Sequence, residues 1–109
     1  MLVAATTTDL MDRSRIGAAI PGVVFGDEPS AEIVIVDLAR GAEQVGEVRA
    51  AIPGARIVCY GPHVDDEVAA AARAAGADVV MSRSRFFRDP AAAVGLGENR
   101  RLPGGPDDG

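Results

Sequence analysis

Residues 32–37 read EIVIVD, and the order of those letters decides the fold. Ile33, Val34, Ile35 and Val36 follow one another with no polar residue between them. A strand with one wet face alternates apolar and polar residues. An unbroken run of branched residues is the pattern of a strand covered on both faces, as in a parallel sheet with helices above and below. The run ends on Asp37, a carboxylate at the mouth of a buried strand. On the residues alone Asp37 is either a polar stop capping the next turn or a group that binds a ligand or partner, and both readings stay open.

Working outward, the same kind of run recurs at 2–6 (LVAAT), 56–60 (RIVCY) and 78–82 (DVVMS), with a briefer one, VVF, at 23–25. Helical segments lie between them. Asp9 is placed to cap residues 10–20, where Leu10, Ile16 and Ile20 are expected to form an apolar face, and Pro21-Gly22 stops them. Val45, Val48 and Ile52 recur at helical spacing over 42–52 before Pro53-Gly54. Residues 65–75, DDEVAAAARAA, carry acids in the first turn, strong helix formers after it, and Gly76 as the stop. Asp89-Pro90 opens a last short helix as cap and first-turn proline.

Strand and helix therefore alternate, which predicts a small α/β domain, three-layered, with a mostly parallel sheet of four to five strands. One joint is irregular. About seven residues separate VVF from IVIV, whereas a parallel crossover takes a dozen or more. The second crossover helix is expected to be missing, leaving residues 23–25 as an edge strand or joined by a bare loop. The domain is expected to span residues 1–97. Residues 98–109, ENRRLPGGPDDG, have almost nothing to bury and read as a disordered tail.

Composition excludes several function classes. Net charge is −5, so a positive field for nucleic acid is lacking and that partner is disfavoured. Every one of the 11 basic residues is arginine, which we read as the coding bias of a GC-rich genome; chemistry that needs an amine side chain must do without it. A single cysteine, Cys59, sits inside a strand run, reads as a small core residue and suits a reducing cytoplasm. No apolar run approaches membrane-spanning length and no signal peptide is visible, so a cytoplasmic location and no membrane partner are expected. His63, in GPHVDD, lies near Asp65 and Asp66, which are placed to favour the N-terminus of the next helix, so no metal site is expected there. Paired catalytic carboxylates, a nucleophilic triad and a glycine-rich phosphate loop are all missing from the pattern, and an independent enzyme is not expected.

The succession IVIVDL, PGARIVCYG and AARAAGADVVMSR resembles the response-regulator receiver family, well over residues 32–88 and loosely over 2–22. The resemblance implies a flavodoxin-like fold and a phosphoryl group stored on the aspartate ending the third strand, a position that Asp37 matches. It also implies a Mg²⁺ ion held by an acidic pair after the first strand, but Ala5 and Thr6 stand there and Asp9 comes late. A small hydroxyl residue belongs at the end of the fourth strand, where this chain has Tyr60 followed by Gly61. A lysine and proline belong after the fifth strand, where it has Arg83-Ser84. Thr6, Asp9, Tyr60, Gly61 and Arg83 are thus the candidate lining of an anion pocket around Asp37. No cofactor is expected, with Mg²⁺ entering only if Asp37 accepts phosphate.

These departures favour a degenerate receiver that signals by protein contact. A phospho-accepting receiver and a small-molecule-binding flavodoxin-like domain are the alternatives. In SRSRFFRD, residues 82–89, arginines alternate with aromatics. The family uses this surface for partners or dimers, so Arg83, Arg85, Phe86, Phe87 and Arg88 form the candidate interface with a protein partner or a second copy. The bland alternative is one phenylalanine packed inward with the arginines in water.

Overall fold

The computed structural model describes residues 1–62 and 64–96. The expectations placed on His63 and on segment 98–109 lie outside the described residues. Strands β1 (Val3–Ala5), β2 (Val24–Phe25), β3 (Ile33–Asp37), β4 (Arg56–Gly61) and β5 (Val79–Ser82) form one sheet in the order β2-β1-β3-β4-β5. Every neighbouring pair is parallel. The register sets Asp37 directly beside Tyr60 and Gly61 beside Ser82 at one end of the sheet.

Helices α1 (Leu10–Ala19), α2 (Glu43–Ala51), α3 (Asp66–Ala75), α4 (Arg83–Arg88) and α5 (Pro90–Ala93) cover the sheet, with a 3-10 turn at Leu38–Arg40. Successive strand side chains point to opposite faces, so the unbroken runs feed two cores. Ile33, Ile35, Val58 and Tyr60 pack with Ile16 and Ile20 of α1, Phe86 of α4 and Val94. Val34, Val36, Ile57 and Cys59 pack with Val45 of α2 and Ala72 of α3 on the other side. This is the three-layer α/β architecture expected from the alternation.

The irregular joint resolves both ways at once. Residues 24–25 are a true edge strand, paired to β1 at Ala4 and Ala5, and residues 26–32 cross to β3 without a helix. Among the described residues only α2 and α3 cover that side of the sheet.

One local expectation needs correction. Leu10 is 78% exposed and does not share the face of Ile16 and Ile20. At 100° per residue the buried stripe is 12, 16 and 20, which puts Asp12 on the core side of the helix. Residues 83–88, in which no helical period is visible, form α4 because the Ser82 hydroxyl accepts the Arg85 N–H at 3.2 Å. Asp9, Asp65 and Asp89 each cap a helix by accepting a backbone N–H three residues on, as their positions suggest.

At the opposite end of the sheet Arg49, near the end of α2, ties the connection before β4 to the connection before β5. Its guanidinium donates to the carbonyls of Pro53 (2.8 Å), Ala55 (2.7 Å) and Gly76 (2.8 Å) and to Asp78 Oδ2 (2.8 Å). Asp78 Oδ2 also accepts the Ile57 N–H at 2.8 Å, which with Arg49 holds that carboxyl below the usual carboxylate range.

Candidate functional site

Strand order reverses between β1 and β3, and the chain leaves their carboxyl ends in opposite directions, which opens a crevice there. Thr6 and Thr7 follow β1, Asp37 ends β3, Tyr60 and Gly61 end β4, and Arg83 follows β5. Asp37 is half-buried. Its Oδ1 accepts the Ala39 N–H at 2.9 Å, capping the 3-10 turn, and its Oδ2 accepts the Thr7 hydroxyl at 3.4 Å. The capping geometry of the bland reading is therefore present at Asp37, and one of its oxygens still faces the crevice side.

The strongest electrostatic feature lies one layer below. Asp12, fully buried on α1, accepts two hydrogen bonds from the Arg83 guanidinium, one from Nη1 at 2.6 Å and a second from Nη2. The Tyr60 hydroxyl donates to Asp12 Oδ2 at 2.9 Å. The bidentate Arg83 contact holds the Asp12 carboxyl below the ordinary range, and the Tyr60 hydroxyl adds to this against the cost of burial. Burial raises the Tyr60 hydroxyl, with the Asp12 and Asp37 charges adding to the rise, so it stays a neutral donor. Asp12 in turn keeps Arg83 charged far above its ordinary value. Tyr60 stacks on Phe86 at 4.7 Å between ring centroids, Phe87 meets both rings edge-on, and the Arg83 guanidinium lies 4.9 Å from the Phe87 centroid.

The sequence-named residues thus divide. Tyr60 and Arg83 come together, but on Asp12 and not on Asp37. Thr6 turns to α2 and donates to Gln44 Oε1 at 3.1 Å, and Asp9 is spent on the helix cap. Gly61 faces Leu38, and a Cβ there would stand 3.1 Å from Leu38 Cβ, so that side is filled. Among the candidate interface residues, Phe86 must be corrected: it is wholly buried, stacked on the Tyr60 ring, and offers no surface. Arg85 and Arg88 are exposed, Phe87 is half-exposed, and Arg83 is engaged inside. Arg13 and Arg15, which look like solvated charges, lie over the Phe25 and Phe87 rings at 5.1 and 5.5 Å.

Two residues escaped the sequence reading. Thr7 is hidden because a threonine after a strand is common. Asp12 had a signal, a carboxylate exactly one turn before Ile16 on the buried stripe, masked by the assignment of Leu10 to that stripe.

The sequence resemblance to receivers implies Mg²⁺ beside Asp37, and the side chains do not fit it. Ala5 and Thr6 stand where the acidic pair would be, Asp9 is capping, and Asp12 has both oxygens committed to Arg83 and Tyr60. Among the described residues no three His, Cys, Asp or Glu side chains converge as an ion site.

No protein-family model and no curated protein sequence matches this chain. Solved structures do. A response regulator from Thermotoga maritima superposes with a TM-score of 0.66 at 13% identity, over 85% of this chain and 96% of that one. The chain has the receiver fold. A response regulator from Burkholderia pseudomallei bearing a phosphorylated aspartic acid, calcium ion and citrate gives 0.67 at 15% identity, over 85% of this chain and 65% of that one. A CheY-like protein, tadZ, from Pseudomonas aeruginosa PAO1 gives 0.65 at 16% identity, over 93% and 99%. Among the described residues no helix of this receiver fold is long and apolar enough to cross a membrane.

Proposed function

We propose that this domain is a pseudo-receiver: a non-catalytic cytoplasmic signalling module that keeps the receiver fold, has given up its phosphoryl chemistry, and acts by binding protein. The observation that carries the reading is the Asp12–Arg83–Tyr60 cluster. The cation and the hydroxyl nearest in role to those that would steady a phosphoryl group on Asp37 are both committed to a buried carboxylate. Asp37 itself is left with a threonine hydroxyl and a backbone N–H, and among the described residues no acidic companions converge with it to attract a divalent cation. The contact surface that best fits is β5 with α4, where Val79, Val80 and Met81 are half-exposed on an edge strand and Arg85 and Arg88 face water.

Amide NMR of the labelled chain with Mg²⁺ and then beryllofluoride, an acyl-phosphate mimic, tests this. The expected result is a well-dispersed spectrum with no response at residues 37, 60, 61 and 83. Shifts there that disappear in Asp37→Asn would make the domain a working phospho-acceptor and overturn the proposal.

A further inference from the structure

The helix-free crossover leaves a groove on the α2 side of the sheet. Its floor is Ala4 and Val34, one wall is Val48 and Ile52 of α2, and the other is the 26–29 loop; the cavity is about 360 Å³. Parallel sheets are normally covered by helices on both faces, and this is the layer and the position that a helix between β2 and β3 would fill. The rim is of one sign. Asp27, Glu28 and Glu47 line it, and among the described residues none that lines it is basic.

We infer that the groove takes one amphipathic helix of a partner protein, with an apolar face directed at Ala4 and Val34 and Lys or Arg on its flanks. The inference rests on the reading of this domain as a binding module, and it names the partner's chemistry. Charge selects the occupant: an apolar floor inside an acidic rim favours a basic amphipathic helix and repels an acidic one. A second copy fits poorly. Ile16, Val45 and Ala72 turn α1, α2 and α3 into their own core, and Phe86 does the same for the short α4. Among the described residues the large apolar side chains left exposed are Met1, Leu10 and Met11, the last two adjacent on the first turn of α1 and not spaced as a stripe.

The test uses the full labelled chain and a synthetic peptide of about three helical turns. It carries Leu at i, i+3, i+4 and i+7 and Lys or Arg on the flanks; its comparator has Glu in place of every basic residue. The expected result is saturable shifts at Thr6, Gly26, Gln44 and Ile52, with the basic peptide bound about tenfold more tightly than the acidic one. Glu28→Arg combined with Glu47→Arg removes that preference, while Arg85→Glu leaves it intact. Rising salt weakens the basic peptide's binding, a readout that stands even where the double variant folds poorly. Equal affinity for both peptides, shifts confined to β5 and α4, or no shift at all would overturn the inference. So would groove shifts on simple dilution, which would make a second copy the occupant, or groove shifts caused by Arg100→Glu, which would make it the chain's own terminus. The two proposals fail separately: a beryllofluoride response with the groove still binding sinks the pseudo-receiver reading alone, and a silent groove with no beryllofluoride response sinks this one alone.

Discussion

Asp12 is 0% exposed and the Arg83 side chain 37%, and that inequality makes the pair asymmetric to mutation. Arg83→Ala leaves a buried carboxylate with only the Tyr60 hydroxyl, and is expected to cost about 3–5 kcal/mol. Asp12→Asn leaves a guanidinium that reaches water, so the cost is discounted to about 1–3 kcal/mol. Replacing both, Asp12→Leu with Arg83→Met, is expected to recover most of the loss, since no charge remains to be desolvated. Urea unfolding of the three variants checks the order; Asp12→Asn proving the costlier single change would refute it. Part of this chemistry was legible in the residues. Asp9 and Asp89 announce themselves as caps, and Tyr60 and Arg83 stand out as replacements for a small hydroxyl and a lysine. That they replace one another's targets, meeting on Asp12, is a fact of three dimensions: residues 12, 60 and 83 share no sequence pattern.

At the scale of elements, Arg49 and Gly76 fasten α2 to the turn between α3 and β5. Gly76 has φ +123°, and a Cβ there would lie 2.9 Å from Arg49 Cβ and Cγ. Gly76→Ala is therefore expected to cost roughly 1–3 kcal/mol, from the left-handed backbone and the collision together. Arg49→Ala strips donors from three carbonyls and Asp78 and is expected to cost about 2–3 kcal/mol, with Arg49→Lys recovering only a fraction because an ammonium cannot span the same acceptors. Thermal melts of the three variants measure this, and an Arg49→Lys protein as stable as the parent would contradict it. Strands β1, β3, β4 and β5 were readable because burial on both faces leaves an unbroken apolar run. The two residues of β2 are too few to carry a period, and α4 is held by one serine cap and by Phe86 packing on Tyr60, neither of which periodicity detects.

Over the whole molecule, titration sets a stability plateau. The carboxyls of Asp12 and Asp78 lie below their unfolded value of about 3.9, so their contribution is complete above that pH and is lost as pH falls through their native values. Burial pushes the Cys59 thiol up to about 12 and raises the Tyr60 hydroxyl, so their contribution is complete below the unfolded values and is lost as pH rises. The midpoint of thermal unfolding is expected to be flat from about pH 5 to about pH 8 and to fall on both sides. Cys59→Ala should delay the alkaline fall, and Asp12→Asn should soften the acid one; a melting profile unchanged in both variants would refute the assignment. The fold class was legible at this scale because alternation of apolar runs and capped helices admits few architectures, whereas the acidic groove arises from what the 26–32 crossover lacks, and the sequence shows only its shortness. The Asp12–Arg83 bond joins positions 71 residues apart. During synthesis α1 leaves the ribosome long before Arg83 exists, so every nascent chain that ends short of β5 carries a carboxylate with no cation to meet it in the core. A chain cut short of β5 therefore lacks the partner that makes burial of Asp12 tolerable, and is expected to be markedly less stable than the complete domain.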